Sequence, residues 1–205
     1  CLGDTTGALD DVNKALSLNP QSSVYRTSQA LTLRKLGEAG KAAENFDKLV
    51  NSLEQKLKNL SEKKEKSPTE REDVEKFKRE LSMTYISRSR TFANNENYEA
   101  MFADLNRAVE VNPRHYTYRT RARAYRWRSM YAEAIADLTN AIELDNEDVS
   151  LLMDRGEAYF LMQKFPEAIT DYEQVVKLNR GLEQIAEQRI SSAKQKMQEN
   201  VARPK

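Results

Sequence analysis

Residues 116–146 read YTYRTRARAYRWRSMYAEAIADLTNAIELDN, and their spacing describes two short helices. Tyr118, Ala122 and Tyr125 recur at intervals of four and three and so share one face of a first helix. Ala134, Leu138 and Ala141 do the same on a second, and Ser129 to Tyr131 make the turn between them. Small residues at Ala122 and Ala134 let the two helices approach closely, while Tyr125, Tyr131 and Leu138 fill the space around that contact. Two helices cannot bury both of their apolar faces alone, so this hairpin needs neighbours.

The neighbours lie on either side in the same register. Ala8, Ala42, Met101, Ala134 and Ala168 hold the small site of the second helix, and Val12, Phe46, Leu105, Leu138 and Tyr172 follow four residues later. In the first helix Ala30, Ser89, Ala122 and Gly156 align, as do Leu33, Phe92, Tyr125 and Tyr159. A period near 34 with this small/large alternation, and with Pro20 and Pro113 closing two units, resembles the tetratricopeptide repeat. The resemblance covers Cys1 to Arg180. It implies an all-α fold, a right-handed superhelical solenoid of helical hairpins, with repeats over 23–52, 82–114, 115–148 and 149–180. Residues 1–22 read as the second helix of a truncated repeat, with Cys1 to Asp4 as its inter-helix turn and a helix from Thr5 or Thr6 to Leu18. Alone it would expose Leu9, Val12 and Leu16, so the expectation is a fragment of a longer array.

Residues 50–81 depart from the repeat. Leu53, Leu57 and Leu60 continue the seam of Leu49 through a charged background, and Val74, Phe77, Leu81 and Tyr85 carry a matching seam into the third repeat. Between them Ser67 can cap a helix, Pro68 suits its first position and Glu70 completes a capping box. This predicts a projecting antiparallel helical hairpin with arms of roughly 20–25 Å, the alternative being an unstructured charged loop. Ser67-Pro68 also has the form of a proline-directed phosphorylation site, although capping accounts for the same residues. After Asn179, residues 181–205 predict a capping helix and tail, with Leu182, Ile185, Arg189 and Ile190 facing inward and Lys194, Gln195 and Lys196 outward.

Composition narrows the function classes. The chain has 205 residues, 39% hydrophobic and 32% charged, with net charge +1, so its overall balance favours neither nucleic acid nor a membrane surface. No apolar run approaches the roughly 20 residues of a membrane span, and the lone Cys1 excludes an internal disulfide. The expected setting is intracellular, cytoplasmic or within a cytoskeletal, ciliary or organellar assembly. His115 is the one histidine, placed in a surface turn with no second metal ligand or nucleophile nearby. No Gly-rich phosphate loop, H-E-x-x-H or G-x-S-x-G occurs, so the sequence points to neither enzyme nor cofactor.

The informative residues are arginines. Arg88, Arg121 and Arg155 form one column of the first helices, and Asp104, Asp137 and Asp171 form one column of the second, each pair sixteen residues apart. In the second repeat both columns hold amides, Gln29 and Asn45, so both charges are lost together, as a partly buried pair requires. These six residues are expected to form structural ion pairs, and Asp11, in the same acidic column, would take its cation from sequence before Cys1. Arg114, Arg119, Arg123, Arg126 and Arg128 remain, interleaved with aromatic residues. The resemblance places first helices along a concave groove, where Tyr116, Arg119, Arg123, Arg126 and Trp127, together with Arg90, would meet an acidic partner segment. The alternative is that Asp154 and Glu157 neutralise Arg119 and Arg123 internally.

Some tetratricopeptide proteins hold chaperone carboxyl termini in a clamp of Lys, Asn and Arg. This chain has Thr27, Leu31, Ser87, Tyr116 and Thr120 at those places, which disfavours that ligand. The expected function is a non-enzymatic scaffold or adaptor for a protein partner. RNA binding through residues 114–128 and a purely structural role in a large assembly are the alternatives.

Overall fold

A computed structural model describes residues 2–202, and the side chains of residues 5–200. The described residues form ten α-helices and no strand, in two compact units, Cys1–Pro113 and Arg114–Lys205. The first unit contains α1 (Leu2–Leu18), α2 (Ser23–Lys35), α3 (Ala39–Ser61), α4 (Pro68–Asn94) and α5 (Tyr98–Val111), each packed against the next. The second contains α6 (His115–Trp127), α7 (Tyr131–Leu144), α8 (Val149–Leu161), α9 (Phe165–Leu178), a short 3-10 turn and α10 (Glu183–Ala202).

Local chemistry sets the helix ends. The Ser22 hydroxyl accepts from the Tyr25 amide at 3.3 Å, the Asn97 side chain from Ala100 at 3.1 Å, and Asp148 from Ser150 at 2.9 Å. The first helix of every complete repeat closes in the same way. Gly37, Glu96, Ser129 and Gln163 all have positive φ, between 56° and 81°. The amide after each donates back to the carbonyl five residues before it: Glu38 to Leu33, Asn97 to Phe92, Met130 to Tyr125 and Lys164 to Tyr159. Only the first of these four sites is glycine, so three side chains sit in a region that disfavours them.

In the first unit Ala30, Leu33, Ala42, Phe46, Leu49, Leu53, Leu81, Tyr85, Met101 and Leu105 are buried. Helix α1 starts at Leu2, so residues 3 and 4 are helical rather than part of a turn, and Cys1 lies outside the described residues. Gly3 is tolerated because the cost of a helical glycine, about 1 kcal/mol, is smallest near a helix end. Gln29 and Asn45 do not meet. Gln29 donates to Asn13 at 2.6 Å and Asn45 to the Lys41 carbonyl at 3.0 Å, because uncharged amides are free to find nearer partners.

Helix α3 continues to Ser61 and α4 begins at Pro68, whose preceding Ser67 forms a full capping box with Glu70. Within residues 50–81 the first arm runs twelve residues to Ser61, about 18 Å, and the second fourteen from Pro68, about 21 Å. Tyr85 donates to Glu54 at 2.5 Å across the two helices, and the Lys56 ammonium sits 5.4 Å from the Phe77 ring.

The core of the second unit has two parts. Ala122, Ala134, Leu138, Ala141 and Leu151 form one, flanked by Tyr118 and Tyr125. Leu152, Ala168, Tyr172, Val175 and Ala186 form the other. Gly156 is required by close approach: a Cβ there would lie 2.7 Å from Tyr172 Cε1. Leu182 of the 3-10 turn and Ala186 and Ile190 of α10 pack with the α9 core and Ala193 is buried, while Ile185 is 49% exposed and Arg189 is exposed. The expected inward set is thus corrected at two positions, because the small Ala186 and Ala193 let α10 approach closely and rotate Ile185 outward.

Candidate functional site

Two kinds of arginine cluster occupy the first helices. The first joins the two helices of each repeat. Arg88 meets Asp104 through Nε at 2.9 Å and Nη2 at 2.6 Å, Arg121 meets Asp137 at 2.8 and 2.6 Å, and Arg155 meets Asp171 at 2.9 and 2.7 Å. Each is a two-pronged fork between the helices of one repeat, on an aspartate that is buried. Asp47 adds a second acid to Arg88, and the Thr139 hydroxyl accepts from Arg155 at 3.2 Å. Aromatic rings flank the guanidinium groups: Tyr85 and Phe92 at 5.4 and 5.7 Å from Arg88, Tyr118 and Tyr125 at 5.9 Å from Arg121, and Tyr159 at 5.9 Å from Arg155. The hydrogen bonds to Asp137 and Asp171 hold Arg121 and Arg155 above the usual arginine range, against burial. Sequence columns identify the acids but not the rings. Their signal is an aromatic four residues after each arginine, at Phe92, Tyr125 and Tyr159.

The second cluster joins neighbouring repeats within the second unit. Arg119, Arg123 and Arg126 lie on one face of α6 at intervals of four and three, and all three turn to one carboxylate on α8. Arg119 reaches Asp154 at 2.8 Å, Arg123 at 3.2 Å and Arg126 at 3.8 Å. Asp148 lies 3.6 Å from Arg119. Burial raises the Asp148 carboxyl, but the Ser150 hydroxyl and amide and the charges of Arg119 and His115 outweigh it and hold it below its ordinary value. Glu157 belongs elsewhere: it accepts from Arg189 of α10 at 2.8 Å. Three cations therefore face two acids. Arg123 is 55% exposed and Arg126 31% exposed, against 15% for Asp154.

The remaining expected residues are spread around this centre. Tyr116 is half-buried and its ring meets His115 edge-on at 5.7 Å. His115 begins α6 rather than lying in a turn, with Nδ1 3.8 Å from Asp145. Trp127 is 58% exposed with the Arg128 guanidinium 5.8 Å from its ring. Arg90 is exposed on α4 and belongs to the first unit. Among the described residues no group of three or more His, Cys, Asp or Glu could hold a metal ion, and no helix is long and apolar enough to cross a membrane.

The tetratricopeptide repeat family matches residues 149–181, the α8/α9 hairpin. Residues 149–181 are a tetratricopeptide repeat, and the fold is that of tetratricopeptide solenoids. No curated protein sequence matches it. Similar solved structures include a thermophilic tetratricopeptide protein of Thermus thermophilus, 24% identical with TM-score 0.54 over 94% of this chain and 91% of that one. MamA from Desulfovibrio magneticus RS-1 is 16% identical with TM-score 0.60, over 87% of this chain and 88% of that one. The first tetratricopeptide domain of Spaghetti, bound to the HSP90 peptide SRMEEVD, is 22% identical with TM-score 0.50, over 57% of this chain and 92% of that one. At these identities the likeness is one of fold. The tetratricopeptide fold suggests a protein–protein interaction scaffold.

Proposed function

We propose that this protein is a non-enzymatic scaffold whose α6/α8 face takes an acidic segment of a protein partner. The observation that carries the reading is the sharing of Asp154 by Arg119, Arg123 and Arg126. A guanidinium presents five N–H donors, and a carboxylate accepts about four hydrogen bonds, so one acid cannot saturate three arginines. The exposed edges of Arg123 and Arg126 keep donors for an incoming carboxylate, and Trp127 adds aromatic surface beside them. That the Spaghetti domain was seen with the acidic peptide SRMEEVD supports the chemistry as one this fold can support.

The test is fluorescence anisotropy with a labelled deca-glutamate peptide, a deca-lysine control and single-stranded poly(U). Each desolvated Arg–carboxylate contact contributes about 1.5–3 kcal/mol, so Arg123→Glu is expected to weaken deca-glutamate at least tenfold. Equal affinity before and after that reversal, with the helical signature intact, refutes the reading. Binding of poly(U) alone, falling steeply with salt, replaces it with the RNA reading.

A further inference from the structure

Helices α2 and α4 are the first-unit counterparts of α6 and α8, and the same columns carry different charges. In the repeat register Arg34 corresponds to Arg126, Ser87 to Asp154 and Arg90 to Glu157. Arg126 lies 3.8 Å from Asp154 on the next first helix. Arg34 reaches across in the same sense and donates to the Ser87 carbonyl at a long 3.4 Å. Where the second unit carries Glu157, the first carries a second cation, Arg90. Arg34 is half-buried and Arg90 exposed, and among the described residues neither has an ion pair with a carboxylate. Burial, and then the charge of Arg90, hold the Arg34 guanidinium below its usual range, as expected for a cation desolvated without a counter-ion.

The other end of the same face is apolar. Val24, Thr27, Leu31 and Arg34 form one stripe of α2, and Met83, Ser87 and Arg90 one stripe of α4, both with intervals of three and four. Val24 is 68% and Met83 48% exposed, and with Ser23, Thr27, Leu53 and Glu80 they line a cleft of about 280 Å³. The seven helical steps from Met83 to Arg90 rise about 10 Å. An extended peptide covers that distance in about three residues at roughly 3.3 Å each.

We propose that the α2/α4 face binds an extended partner segment in two places: an Asp or Glu side chain between Arg34 and Arg90, and an apolar side chain three residues away in the Val24/Met83 cleft. The partner's carboxylate takes the place that Asp154 fills internally in the second unit. The inference shares with the proposed function the premise of acid recognition, but uses other residues in the other unit.

The experiment is anisotropy on the full chain with labelled glycine/serine peptides bearing one Leu and one Asp, at separations of one to five residues. Affinity is expected to peak at a separation of three and to fall at least tenfold when Asp becomes Asn or Leu becomes Ser. Arg90→Glu and, independently, Met83→Lys should each cause a comparable loss, while Lys194→Glu, on the exposed side of α10, leaves these peptides unaffected. Affinity independent of spacing, or unchanged in both Arg90→Glu and Met83→Lys, overturns the inference. So does a phosphoserine peptide that binds where the aspartate peptide does not. If Arg123→Glu weakens deca-glutamate while Arg90→Glu leaves the Leu/Asp peptides unchanged, the α6/α8 reading stands and only this one falls.

Discussion

Replacing Gly156 by Ala sets two effects of opposite sign against each other. Alanine favours the interior of α8 by about 1 kcal/mol over glycine. Its methyl, however, would lie 2.7 Å from Tyr172 Cε1 and 3.1 Å from Cδ1 and Cζ. Those atoms belong to a ring only 1% exposed, so the ring cannot swing into solvent and must push α9 outward by several tenths of an ångström. Overpacking of this kind costs about 1–3 kcal/mol, and it should outweigh the propensity gain to leave a net loss of about 1–2 kcal/mol. The same chain shows how the strain can be relieved, because Ala122 packs in one cluster with Leu138 at the corresponding positions. Tyr172→Leu alone should destabilise by about 2 kcal/mol through lost burial. In the double variant the new methyl occupies part of the space the ring leaves, so the two losses should fall short of their sum by at least about 1 kcal/mol. Urea denaturation followed by circular dichroism measures all four proteins. Additive losses, or a Gly156→Ala protein more stable than the parent, would refute the account of Gly156 as a packing residue.

Removing one charge of a buried fork should cost more than removing both. Arg121→Met should lose about 3 kcal/mol, and adding Asp137→Leu should restore at least about 1 kcal/mol; a double variant no better than the single one contradicts this. Burial raises the Tyr172 hydroxyl to about 12, from an ordinary value near 10, and its oxygen has no hydrogen-bond partner among the described residues. A raised folded-state pKa on an acid contributes stability that is fully present below pH 10 and is lost as pH rises toward 12, here on the order of 3 kcal/mol. Tyr85 is raised similarly, so Tyr172→Phe should remove only part of that alkaline loss in equilibrium unfolding. At pH 7 the same variant should be neutral or slightly stabilising, since it deletes an unsatisfied polar atom. Gln163→Gly should stabilise by about 0.5–1 kcal/mol, because its φ of 60° suits glycine; a lower thermal midpoint would speak against strain at that turn.

What the sequence makes legible depends on whether a signal repeats. The small/large alternation at Ala122 and Leu138 is visible because other repeats carry it, and the Arg–Asp offset of sixteen is visible because three repeats share it. Features made once are not. Arg189 takes Glu157 through the placement of α10, which depends on Ala186 and Ala193, and alanine carries little pattern of its own. The choice between a partner and an internal acid for Arg119 and Arg123 turns on side-chain distances to Asp154, for which spacing is no guide. The left-handed turns at Glu96, Ser129 and Gln163 escape notice because only Gly37 advertises the conformation.

The two arginine clusters differ in reach, and this bears on how the chain holds together. Forks such as Arg121–Asp137 lie inside one hairpin, so in a nearest-neighbour description they add to the intrinsic stability of a repeat, while Arg88 and Arg155 also reach Asp47 and Thr139 of the preceding one. The contacts of Arg119, Arg123 and Arg126 with Asp154 cross from one hairpin to the next and add to the coupling alone. A repeat cut out and moved elsewhere would keep its own fork. It would leave behind the latch that specifies its neighbour, so the order of hairpins in the second unit is written in electrostatics as well as in packing.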